Sequence, residues 1–158
     1  MLKNLSPLLT ADLLHALRSM GHGDEVLICD VNFPAFEVAT HTTSKRLIQL
    51  SVSLPEAIDA ILSVFPVDCF VPTPIYYMCP DQGLTMPAEG RQVVDECILA
   101  IKRHSGDVHI APRHRSDFYG EARKVFFVLQ TVERRPYANF VVKKGVIGPD
   151  GKDLKPKL

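Results

Sequence analysis

The sequence predicts an α/β layer sandwich folded as a single domain. Three observations carry that expectation. Amphipathic helical segments alternate with short apolar, β-prone runs along the whole chain. Its 158 residues suffice for one substantial core, and 46% of them are hydrophobic. No internal repeat divides it.

The elements follow in order. Thr10 is placed to cap a helix in which Leu13, Leu14, Leu17 and Met20 recur at helical spacing, with Gly21 expected to stop it. Glu25–Asp30 reads as a buried strand. Asn32–Ala35 reads as a loop, because Pro34 breaks regular pairing. Arg46–Ser51 alternates weakly, as a short strand does. Ser53-Leu-Pro-Glu56 is a capping box opening a helix with Ala57, Ile58, Ile61, Leu62 and Phe65, which Pro66 ends. Cys69–Val71 and Ile75–Met78 read as extended pieces between prolines. A second amphipathic helix is expected from Glu89 to His104, with Val93, Val94, Cys97, Ile98 and Ile101 on one face and Ser105-Gly106 closing it. Val108–Ala111 is strand-like and Ser116–Arg123 suits a short helix. Val125–Thr131 and Asn139–Lys143 are the last strands. The domain is expected to span residues 1–147. Residues 148–158, rich in Gly, Pro, Lys and Asp, are expected to form a loose tail.

Composition excludes several function classes. Eighteen basic and eighteen acidic side chains cancel, so no net field favours nucleic acid or an anionic membrane surface. The apolar runs are too short to span a bilayer. Residues 1–20 carry Lys3, Asp12, His15 and Arg18 within an amphipathic pattern, unlike a signal peptide. Cys29, Cys69, Cys79 and Cys97 are scattered without a CxxC pair, which fits reduced thiols and a cytoplasmic protein. His104, His109 and His114 form no compact ligand set, so no metal is expected. No phosphate loop, nucleophile elbow or dinucleotide fingerprint occurs, and no cofactor is expected.

Three stretches carry candidate chemistry. Met20-Gly-His-Gly-Asp-Glu25 sets His22 between two glycines, free of bulky neighbours and ahead of an apolar strand that ends at Asp30. A histidine and a carboxylate brought together there would move protons near neutral pH. His22 could equally cap the preceding helix, and Asp30 could form a turn. Asp30 is expected to stay ionised, leaving His22 as the group of that motif which titrates near neutrality. Arg113-His-Arg-Ser-Asp-Phe-Tyr119 is a short basic patch or a solvated loop. Glu133-Arg-Arg-Pro-Tyr-Ala-Asn139 offers a phenol, an amide and close backbone approach at Ala138, a mix suited to a hydroxyl-rich ligand. Its bland reading is a loop in which Asn139 adopts a left-handed conformation.

Together these pieces resemble the ribose pyranase and L-fucose mutarotase family. Met20–Glu25, Asp30-Val-Asn-Phe-Pro-Ala35, Phe118-Tyr119, Tyr137-Ala-Asn139 and Lys143-Lys-Gly-Val146 fall in family order over about residues 1–147. Leu62-Ser-Val-Phe-Pro-Val-Asp68 is similar to the fucose-type branch. The resemblance implies a three-layer sandwich with a central mixed β-sheet. It also implies an isomerase that exchanges sugar anomers by opening and reclosing the hemiacetal, without cofactor or metal. On the matching positions His22 would be the proton donor, and Tyr119 would lie in the pocket as the next acid–base candidate. Asp30, Arg115, Tyr137, Ala138 and Asn139 would hold the sugar, L-fucose first. Homo-oligomeric rings, often decamers, with sites near subunit contacts are implied too. Ile75, Tyr76, Tyr77 and Met78 would serve such a contact or belong to the core. The competing readings are a ribose-type ring-form exchange and a non-catalytic monosaccharide-binding protein of sugar uptake. Truncation after Ile147 is expected to leave melting temperature and activity nearly unchanged, which a thermal melt and a rate measurement check.

Overall fold

The computed structural model describes residues 2–155. It contains five helices and six strands in the order α1 (Ala11–Ser19), β1 (Glu25–Cys29), α2 (Ala35–His41), β2 (Leu47–Gln49), α3 (Leu54–Leu62), β3 (Ile75–Cys79), α4 (Ala88–Ser105), β4 (Ile110–His114), α5 (Arg115–Ala122), β5 (Phe127–Gln130) and β6 (Phe140–Lys143). One sheet takes all six strands in the order β2-β5-β1-β6-β3-β4. β5 runs parallel to β1 and β2, and β4 parallel to β3. β6 lies antiparallel between β1 and β3. The sheet is therefore mixed, as expected.

Strand side chains alternate between faces, and both faces are covered. Val26 and Ile28 of β1, Phe127 and Leu129 of β5, and Phe140 and Val142 of β6 pack on Leu13 and Leu17 of α1, Ile58 and Ile61 of α3, and Val93, Cys97 and Ile101 of α4. Leu27, Cys29, Met78, Val128 and Val141 point the other way, onto Val38 of α2 and Phe118 and Ala122 of α5. Ile75, Tyr76 and Met78 are buried, so they belong to the core rather than to a surface contact.

Local capping signals explain two of the five helix starts among the described residues. The Thr10 hydroxyl accepts the Leu13 N–H at 3.3 Å. Glu56 reaches back to the Ser53 N–H at 3.0 Å and accepts its hydroxyl at 2.6 Å, closing the expected capping box. The stop of α1 differs from expectation. Met20 is already extended, with ψ 141°. The left-handed residue is Gly23 (φ 86°) rather than Gly21. Lys144 Nζ supplies the C-terminal cap instead, donating to the Leu17 and Met20 carbonyls at 2.7 and 2.6 Å. Helix α2 is not signalled by the sequence pattern, since its seven residues follow Pro34 with no side-chain cap to open them. It forms because Val38 and Ala39 are buried against the sheet. Strand β4 lies later than expected because it includes Pro112, which an edge strand tolerates. The segment Cys69–Val71 joins no strand.

Of the expected tail, Pro156, Lys157 and Leu158 lie outside the described residues. The described part turns back on itself. Ile147 bridges Asp153, and the Cys69 thiol donates to the Leu154 carbonyl at 2.9 Å.

Gly145 passes so close to the Val67–Asp68 backbone that an added Cβ would sit 2.5 Å from the Val67 carbonyl oxygen. Gly145→Ala is expected to destabilise the protein by about 1–3 kcal/mol. Calorimetry should show this as a Tm drop of roughly 3–10 °C.

Candidate active site

Five of the six strands run parallel, so their carboxyl ends emerge at one end of the sheet. Open α/β sheets bind ligands there. Asp30 leaves β1 at that end, and Asn139 enters the oppositely directed β6 beside it. The two side chains are locked reciprocally. The Asp30 N–H donates to Asn139 Oδ1 at 3.1 Å, and Asn139 Nδ2 donates to Asp30 Oδ2 at 3.0 Å. Asp30 Oδ1 accepts the Asn32 N–H at 2.9 Å. Asp30 is only 3% exposed. Burial pushes its carboxyl up to about 6, with a smaller push from Glu133, against hydrogen bonds from Asn32, Asn139 and Phe33 that favour the charged form. The expectation that Asp30 simply stays ionised is thereby corrected, because a carboxyl of this kind titrates close to neutrality. Asn139 is buried as well, and its amide is spent on Asp30, with Met78 Sδ at 3.7 Å.

The preceding loop carries Tyr137 and Ala138. Tyr137, not Asn139, is the left-handed residue, with φ 64°. A tyrosine in that region is strained and persists only when its surroundings dictate it. The Asn139 N–H closes on the Tyr137 carbonyl at 2.9 Å around a fully buried Ala138. Upstream, buried Glu133 accepts the Arg134 and Arg135 N–H groups at 3.0 Å and the Arg135 guanidinium at 2.8 and 2.9 Å. Arg135 also reaches Glu96 of α4 at 2.8 Å. The Arg135 guanidinium draws the Glu133 carboxyl down to about 2, so this anchor stays charged at working pH. Gly90 of α4 lets the loop approach, since a Cβ there would lie 2.8 Å from the Pro136 carbonyl oxygen.

Arg115 and Tyr119 begin and line α5 at the same end of the sheet. Arg115 binds Asp81, beyond β3, through Nη2 at 2.8 Å and Nε at 3.1 Å. The Tyr119 ring stacks on Phe33 with centroids 5.5 Å apart. Asp30, Arg115, Tyr119, Tyr137, Ala138 and Asn139 thus share the carboxyl end.

His22 does not join them within one chain. It lies before β1, at the amino end of the sheet, where Gly23 N–H donates to the Lys144 carbonyl at 2.9 Å. At ~3.3 Å per residue, β1 alone puts about 16 Å between His22 and Asp30. Its neighbour is a carboxylate that the sequence does not single out as a site residue. Asp68 Oδ2 lies 3.3 Å from His22 Nε2, with Asp68 buried and His22 half exposed. Asp68 Oδ1 accepts the Phe70 N–H at 2.9 Å, and Phe70 meets the imidazole edge-on at 6.0 Å. Asp68 and the Phe70 ring together set the position of the imidazole.

The sequence matches the RbsD / FucU transport protein family over residues 3–147. The chain belongs to the RbsD / FucU family. A fucose mutarotase of Danio rerio is 34% identical over 94% of this chain and 96% of its own. One from Homo sapiens is also 34% identical, over 92% and 94%. The crystal structure of the Streptococcus pneumoniae fucose mutarotase in complex with L-fucose superposes with a TM-score of 0.82 at 32% identity, covering 93% of this chain and all of that one.

Other groups of this RbsD / FucU chain are accounted for locally. Arg113 forms an ion pair with Glu121 at 3.1 Å, in a geometry that leaves Arg113 Nε and Glu121 Oε2 without a hydrogen bond, and its guanidinium lies over the Tyr76 ring. His104 binds Asp59, His109 faces Thr73 Oγ1, and His114 Nδ1 donates to the Pro80 carbonyl. Among the described residues no three His, Cys, Asp or Glu side chains gather to hold a metal ion. No described helix is long and apolar enough to cross a membrane. Asp68 and Glu133 had a faint signal at most, because a buried carboxylate is recognised only once its distant partner is known.

Asp30 gives a pH-dependent signature. Its folded-state value lies above the ordinary 3.8, so its contribution to stability is complete below about pH 4 and is lost as pH rises through about 6. Asp30→Asn cannot titrate. The stability of wild type relative to Asp30→Asn is therefore expected to fall by roughly 1–3 kcal/mol between pH 4 and 7, read from paired denaturant melts.

Proposed function

We propose that this protein is a monosaccharide mutarotase, with L-fucose its first substrate. The observation that carries the reading is the full-length likeness to fucose mutarotases at 34% identity over 94% of the chain. The chemistry is modest. One group takes the proton of the anomeric hydroxyl as the C1–O5 bond breaks, and another protonates the ring oxygen. The free aldehyde rotates, the ring oxygen attacks its other face, and the protons return. No electron is transferred and nothing is consumed.

His22 and Asp30 are the two proton-handling groups of this proposal. Their separation along β1 supports a site completed between two copies, with the amino end of one sheet meeting the carboxyl end of the next. Exposed apolar side chains flank both ends. Val31, Phe36 and Val132 lie beside Asp30, and Phe70, Ile147 and Leu154 lie on the His22 side. A head-to-tail contact of this kind closes into a ring when the rotation allows, in keeping with the homo-oligomeric ring, often a decamer, that the resemblance implies. Asp68 holds the imidazole, Asn139 holds Asp30, and Arg115, Tyr119 and Tyr137 face the sugar. The four free thiols suit a cytoplasmic location.

Exchange NMR on L-fucose tests the activity. Wild type is expected to broaden and cross-correlate the α and β anomeric signals, and exchange no faster than in buffer, across L-fucose, D-ribose, D-galactose and L-rhamnose, refutes the proposal. His22→Asn is expected to lower the exchange rate by about 10²–10⁴-fold while changing sugar affinity far less. The shared site has its own test. Mixing and reassembling inactive His22→Asn with inactive Asp30→Asn is expected to regenerate sites that carry both native residues, so activity should reappear. Continued inactivity of well-assembled mixtures would refute a site shared between copies.

A further inference from the structure

Asp81 has no part in the reaction as described, yet it accepts three hydrogen bonds. Its Oδ2 takes Nη2 and Nε of Arg115 at 2.8 and 3.1 Å, and its Oδ1 takes the Ser116 N–H at 2.8 Å. The topology explains the meeting. β3 and β4 are parallel and pair Cys79 with His114, so the residues just past each strand emerge side by side. The turn is pinned from its other side as well, because His114 Nδ1 donates to the Pro80 carbonyl at 2.8 Å. The guanidinium also interacts with the Tyr119 side chain. Tyr119 in turn stacks on Phe33, whose N–H meets the Asp30 carbonyl at 3.4 Å.

A bidentate contact fixes the plane of a guanidinium as well as its position. Arg115 is half exposed. Without Asp81 its long side chain would sample many rotamers, and binding a sugar would have to freeze it.

We infer that Asp81 is a positioning residue, which holds Arg115 in the orientation needed to meet the sugar hydroxyls and the Tyr119 side chain at the carboxyl end of the sheet. This rests on the mutarotase reading and on Arg115 facing the sugar. Asp81 itself does not touch the substrate.

The test combines kinetics with a readout independent of activity. Asp81→Ala and Asp81→Asn are made alone and in an Arg115→Ala background. The asparagine retains an acceptor for Ser116 N–H, which separates the ion pair from any fraying of α5. For L-fucose exchange, either Asp81 variant is expected to raise KM about 2- to 12-fold, the cost of ordering one long side chain, with kcat less affected. In Arg115→Ala, removing Asp81 should have no further effect. In ¹⁵N spectra the Arg115 Nε–H resonance, assigned by its loss in Arg115→Ala, should be protected in wild type and exchange-averaged in both Asp81 variants. An unchanged KM in folded Asp81 variants overturns the inference. So does an Asp81 effect that persists without Arg115, or an Arg115→Ala enzyme with normal KM. Should wild type exchange no sugar, the mutarotase reading fails, and the resonance then decides the clamp alone. Protection that survives Asp81→Asn would dismiss it.

Discussion

Strand β6 runs against its neighbours, and both halves of the candidate site depend on that reversal. Its antiparallel pairing with β1 sets Ile28 opposite Phe140 and Glu25 opposite Lys143. The first pairing delivers Asn139 to Asp30 where β1 ends. The second delivers Lys144 to the segment before β1 and Gly145 to the backbone beside Asp68. One four-residue strand therefore orients a carboxylate at each end of the sheet. Had β6 been parallel, Asn139 would emerge at the amino end and Asp30 would be left without its amide. An unpartnered buried carboxylate is costly, so the register is energetically enforced.

Two neighbouring carboxylates at the carboxyl end of the sheet solve the same electrostatic problem differently. Asp30 is surrounded by neutral donors and lies near Glu133, so burial dominates and the proton is held more tightly. Glu133, less deeply buried, receives a guanidinium and two backbone N–H groups, so its charge is favoured. The contrast arises from depth of burial and choice of partner. It lets one carboxylate act as a fixed anchor for the Tyr137 loop while its neighbour remains able to exchange a proton. That loop needs the anchor, since Tyr137 occupies a backbone conformation it would not choose in isolation.

What was legible in the sequence was local. Thr10, the Ser53–Glu56 box and the spacing of Val93, Cys97 and Ile101 announce helices because their partners lie within a turn or two. The β-prone run Val125–Thr131 announces a strand for a similar reason. The motif residues were legible as chemistry, and Asp30, Tyr137 and Asn139 do converge. The rest depended on distant partners. Nothing near Pro34 signals α2, whose stability comes from the sheet beneath it. The strand read over Glu25–Asp30 already puts His22 ahead of β1 and Asp30 at its far end, but nothing in Met20–Asp30 reveals that the imidazole meets Asp68. Asp68 became visible only through Gly145 and β6, which bring its loop to His22.

The sheet's margins carry a separate consequence. β2 contributes only three residues to one edge, and β4 places Pro112 and a charged arginine on the other. A proline offers no N–H to an incoming strand, and a three-residue edge gives little to template. Chains with such edges are thus poor seeds for sheet-to-sheet accretion. Growth of the cross-β kind is discouraged at both margins of the sheet.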